Sequence, residues 1–177
     1  MRDDEASSVI VLGIAPGVRN LAYCVLHYKE GEGWLPTVRL AELLKGIRLH
    51  GASMATDLQR KAGHHVKILT VVLERFPPTL IAVGPPALST EPEFHTEAAR
   101  FVLKMLITEL SHAGLPLRHM EWRTKTELAH ALGIDKWRSV LDGRIADPTG
   151  RVKKPAVQIA AAAALAGGLS LHRQNNK

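Results

Sequence analysis

Apolar and polar positions along the chain alternate with two different periods, and these periods predict most of its elements. Ser8 to Ala15 (SVIVLGIA) is an apolar run of strand length, rich in Val and Ile. Pro16-Gly17 marks a tight turn, and Leu21 to Tyr28 (LAYCVLHY) is a second apolar run, so the pair reads as a hairpin. GEGW at 31–34 is another turn. A third strand follows from about Val38 to Leu44, although AELLKGI also fits a helix. From 53 to 76, Leu58, Ala62, Val66, Leu69, Leu73 and Phe76 recur at three- and four-residue steps, the stripe of an amphipathic helix. Pro77-Pro78 ends it. Thr79 to Val83 is a short apolar strand of the buried, parallel kind. A helix over about His95 to His112 carries Ala98, Val102, Met105, Leu106 and Leu110 on one side and stops at Gly114. Leu115 to Trp122 is a fifth strand, and Thr124 with Glu127 has capping-box spacing. Gly133, Gly143 and Gly150 punctuate a loop-rich stretch. From Pro155, a first-turn proline, the Ala-rich VQIAAAAALAGGLSL makes a last helix whose small residues permit close approach to a sheet.

Meandering strands first and βα units later predict an α/β fold: a mixed five-stranded sheet with helices on both faces. A length of 177 residues suits one domain, placed over 8–173, with 1–7 as a disordered lead and 174–177 as a polar tail. This layout serves many functions and names none.

Charge narrows the choice. The formal net charge is +6, which favours a polyanionic partner through counterion release. No acid follows Asp147, whereas Arg151, Lys153, Lys154, Arg173 and Lys177 do. The single cysteine, Cys24, has no intramolecular disulfide partner, which fits a reducing, cytoplasmic setting. The polar, acidic opening MRDDEASS is no secretory signal. The longest apolar stretch, Ile159 to Leu171, contains two glycines and is too short for a bilayer, so no membrane partner is expected. His64 and His65 are adjacent on a helix and point apart, and His119, His130 and His172 have no ligand spacing with Cys24. Walker A, dinucleotide and nucleophile-elbow patterns are missing, so no cofactor is expected.

VLGIAPGVRNLAYCVL, residues 11–26, resembles the opening of RuvC-type Holliday-junction resolvases, members of the RNase H-like superfamily. Their pattern is an apolar strand, Gly-Ile-Asp-Pro-Gly, a basic and polar turn, and a second strand; Gly13, Ile14, Pro16, Gly17, Arg19 and Asn20 match it. HHVKILTVVLERFPPTLIAV resembles the family's helix, proline break and second catalytic strand, and the last helix resembles its closing Ala-rich helix. The resemblance implies an RNase H-like fold, a homodimer, and DNA as partner, with RNA the alternative. It also implies carboxylates at three places holding two divalent metals. Those places hold Ala15, Gly84 and the acid-free segment Pro155-Ala156-Val157-Gln158-Ile159, with Ala156 standing for the helix position. The resemblance is therefore to a degenerate member, a pseudo-nuclease that binds DNA, branched or bent, without cutting it.

Two other readings stay open. An active endonuclease would need relocated acids, for which Glu91, Glu93, Asp142 and Asp147 are candidates, though surface charge and turn chemistry are the favoured account of them. IAVGPP and VKKPAVQIAAAAAL also resemble the YqgF family, linked to RNA processing, but Val157 stands where that ending has Asp. The old fold could equally serve as a scaffold for other proteins of a DNA-associated complex. For backbone binding the candidates are Arg19, Lys125, Lys136, Arg151, Lys153 and Lys154. Phe94 is a candidate junction wedge or, equally, an anchor in its own core.

Overall fold

The computed structural model describes residues 8–17, 20–29, 35–45, 53–86, 118–175, and 100–112 apart from 102, 106 and 110. Strands β1 (Ser8–Ala15), β2 (Asn20–Lys29) and β3 (Thr37–Lys45) form an antiparallel meander. Helix α1 (Met54–Arg75) returns the chain to β4 (Leu80–Val83), which lies parallel to β1. Helical residues within 100–112 lead to β5 (His119–Glu121), parallel to β4. Helix α2 (Lys125–Ala131), a short 3-10 turn (Trp137–Ser139) and helix α3 (Pro155–Asn175) complete the order. The sheet reads β3-β2-β1-β4-β5, the mixed five-stranded arrangement expected.

Strand alternation sends successive side chains to opposite faces, and each face finds its own helix. Val11, Ala15, Ala22, Cys24, Leu26, Tyr28, Leu80 and Ala82 pack with α3. Leu12, Ile14, Leu21, Tyr23, Val25, Ile81 and Val83 pack with Leu69, Val72 and Leu73 of α1 and with Leu103. Helices thus cover both faces. On the α3 side the approach is close, since a methyl at Gly13 would overlap the Ala160 carbonyl. By length and composition α3 could cross a membrane, because the helix extends beyond the apolar stretch seen in the sequence. However, 67% of its apolar window is buried inside the fold, as in a core helix.

The ambiguity over AELLKGI resolves as strand for its described residues 41–45, and a bulge explains it. A register shift falls between Val25 and Leu26, where the pairing passes from Leu40 to Val38. The shift turns Val38 to the same face as Ala41 and Leu43, so apolar positions step by three, as in a helix. Of the expected fifth strand, Leu115 to Trp122, the described part forms a strand at His119–Glu121; positions 115–117 lie outside the described residues. In the helix before it, Ala98, Val102, Leu106 and Leu110 also lie outside them. The buried contact there is Leu103, with Ile107 beside it, one flank over from the expected stripe. The capping box forms as expected: Thr124 Oγ1 accepts from the Glu127 N–H at 3.1 Å. Glu127 reaches back one residue further, to the Arg123 N–H, at 2.7 Å.

Candidate nucleic-acid interface

Pairing aligns one row of residues across the ends of the central strands. Leu43 is paired with Ala22, and Ala22 with Ala15. Gly84 follows Val83, the partner of Ile14, and its N–H donates to the Ile14 carbonyl at 2.8 Å, so it stands beside Ala15. Trp122 closes the row, donating its N–H to Val83 at 2.9 Å. Above the row lies the start of α3. Ala15 and Val157 are each 1% exposed and Ile159 is fully buried, while Ala156 is half-buried. A side chain begun at Gly84 would meet Ile159 Cγ2 at 2.9 Å and Ala163 Cβ at 3.3 Å.

A two-metal centre needs oxygen ligands converging on one point. Ala15, Gly84 and Ala156 offer none, and helix packing fills the space, so these residues do not fit such a centre. Among the described residues no three His, Cys, Asp or Glu side chains stand together. Of the candidate substitute acids, Glu91 and Glu93 lie outside the described residues, and Asp142 is exposed. Asp147 is committed to its own loop. Its carboxylate accepts from the Thr149 hydroxyl at 2.6 Å and from the N–H groups of Thr149, Gly150 and Val152 at 3.0–3.1 Å. Burial pushes this carboxyl up, but the hydrogen bonds outweigh it and hold it below the ordinary carboxylate value.

The Asp147 loop presents cations. Arg151, Lys153 and Lys154 line a cleft of about 340 Å³ with Glu42, Leu43 and Val157. Leu43 belongs to the apolar row and Val157 to the helix above it, so the cleft opens beside that row. Three of the expected basic residues therefore come together there. Lys125 and Lys136 occupy a separate place beside Trp137: the Lys125 ammonium lies 5.8 Å from the Trp137 ring centroid, and Lys136 caps the turn that begins at Trp137. Arg19 and Phe94 lie outside the described residues.

Sequence reading missed Glu42. It accepts from the Tyr23 hydroxyl at 3.1 Å and sets an acidic wall on the cleft. Burial first, and then Glu42, push the Tyr23 hydroxyl well above its ordinary value, so it stays a donor. Only strand pairing reveals this contact, since Glu42 and Tyr23 are directly opposite across β2 and β3.

No family model matches the chain, and no curated protein does. Solved structures do. The chain is similar to Thermus thermophilus RuvC in complex with a Holliday junction substrate, with a TM-score of 0.69 and 18% identity, over 93% of this chain and 96% of that one. A second Thermus thermophilus RuvC structure gives 0.73 and 17%, over 94% and 97%. The yeast mitochondrial Holliday junction resolvase gives 0.60 and 15%, over 93% and 83%. At these identities the likeness establishes the fold alone, which is that of these RuvC and Holliday junction resolvase structures.

Proposed function

We propose that this protein binds DNA, with a four-way junction as the preferred form, and does not cut it by a two-metal route. The observation that carries this reading is the pairing of an apolar, helix-filled row with a basic cleft at its side. Removing carboxylates from such a centre removes repulsion toward phosphate. Arg151, Lys153 and Lys154 then hold a phosphate directly, with no metal between. The similarity to a RuvC structure containing a junction supports the same partner. A homodimer belongs to the reading, because a junction presents equivalent strands in pairs.

The test uses labelled four-way junction, duplex and single strands of DNA and RNA, with and without Mg²⁺ or Mn²⁺. Metal-independent binding of the junction with intact strands is expected. Lys153→Glu with Lys154→Glu should weaken it at least about tenfold and reduce the salt dependence by about one unit of slope per lost phosphate contact. Strand cleavage that depends on the metal, or junction affinity unchanged by the double charge reversal, would overturn the reading.

A further inference from the structure

The inward face of β5 breaks the rule that the other strands obey. On the α1 side, β1 presents Leu12 and Ile14, β2 presents Leu21, Tyr23 and Val25, and β4 presents Ile81 and Val83. Register sets His119 beside Ile81 and Glu121 beside Val83, so these two point to the same layer. Both are exposed. Instead of a packed seam, a groove of about 440 Å³ separates β5 from the helical residues of 100–112. Its floor is apolar, made by buried Leu103 and half-buried Ile107. Arg100 and Lys104, one helical turn apart, line it together with Arg123 beyond the end of β5. Among the described residues none of these three cations is in an ion pair, and Glu121 is likewise unpaired.

We infer that this groove is a binding site for a nucleoside phosphate. The volume lies within the range of small-molecule sites and far exceeds what a bare phosphate fills. Three cations at the groove suit a phosphate group, with the two guanidinium groups able to engage it in bidentate fashion. The Leu103 and Ile107 floor suits the flat face of a base. Glu121 rejects a ligand that is only anionic, whereas a base amine or sugar hydroxyl gives its carboxylate a donor. His119, two residues away on the same strand face, adds a second polar contact. The groove stands at the opposite rim of the sheet from the Arg151 cleft, about 19 Å across four strand spacings. It is thus a second site, independent of the first.

The full chain should be titrated calorimetrically with dAMP and dTMP, with a 5′-phosphorylated tetranucleotide, and with inorganic phosphate. Nucleotide binding is expected, at least tenfold tighter than inorganic phosphate, and lost at least tenfold in the Lys104→Glu, Arg123→Glu double variant. Both of those side chains are exposed, so the fold should survive, and circular dichroism checks this. In a Lys153→Glu, Lys154→Glu background, which removes phosphate binding at the junction-binding cleft, the tighter nucleotide binding should persist and remain sensitive to Lys104→Glu with Arg123→Glu, which separates the two sites. A tetranucleotide preferred over mononucleotides would assign the groove to an unpaired strand, and the reverse to a free nucleotide. Equal affinity for phosphate and nucleotide, no nucleotide binding, or affinity indifferent to the double reversal would overturn the inference.

Discussion

The two faces of the sheet are packed by opposite means. Toward α1 the contact is made by large side chains, among them Leu12, Ile14, Tyr23, Leu69 and Leu73. Toward α3 it is made largely by what is missing: Gly13 and Gly84 lie against Ala160, Ile159 and Ala163, and Ala160 through Ala164 are fully buried. Interdigitated side chains can rearrange when one changes size. Backbone seated on small residues has no such freedom. Ala15 and Gly84 lie on this second face, beneath α3.

This contrast is open to attack by substitution. The largest effect is expected from Gly13→Val, which enlarges a residue where the neighbour is a backbone carbonyl. It should cost about 3 kcal/mol or more in urea melts. Leu69→Ala, the opposite change on the opposite face, should cost about 3 kcal/mol by leaving a cavity. If Gly13→Val melts like the parent while Leu69→Ala does not, the description of the α3 face is wrong.

A smaller effect sharpens the α1 side. His65 is fully buried in α1, and neither ring nitrogen has a hydrogen-bond partner among the described residues. Burial, then His64 and Lys61, lower its pKa to about 4. The unfolded chain therefore takes up a proton at higher pH than the folded one. Stability from this group is complete above about pH 6.5 and is lost as pH falls toward 4. Between pH 6.5 and 5 the loss should be about 2 kcal/mol. His65→Leu should flatten that slope in parallel urea melts, and matching slopes for parent and variant would remove His65 as the cause.

The amount legible in the sequence differs between these regions for physical reasons. Central strands were readable because both faces are buried, so β1 appears as an unbroken apolar run at its observed limits. The α1 stripe was readable because a single face of that helix is covered. β3 was ambiguous because a bulge resets its alternation. At the positions the resemblance marks, Ala15 and Gly84 were locatable from local sequence, since they sit beside recognisable turn residues. The cleft did not emerge in full, because Glu42 and Arg151 are brought together by pairing across more than a hundred residues. Arg100 and Lys104 had a helical spacing that was visible. Their partner strand was expected within Leu115 to Trp122, but the side it turns toward them was not, since only its register with β4 sets exposed His119 and Glu121 on that layer.

The loop that carries the basic residues is also stitched to the outer strand. Val38 donates to the Ala146 carbonyl at 2.8 Å, and Ala146 donates to the Pro36 carbonyl at 2.9 Å, one residue before Asp147. These bonds occupy backbone groups at the start of the β3 rim that would otherwise invite a foreign strand. At the other rim, β5 offers three residues for such pairing among those described. A margin closed in this way at the start of β3 leaves a foreign strand less backbone to pair with there.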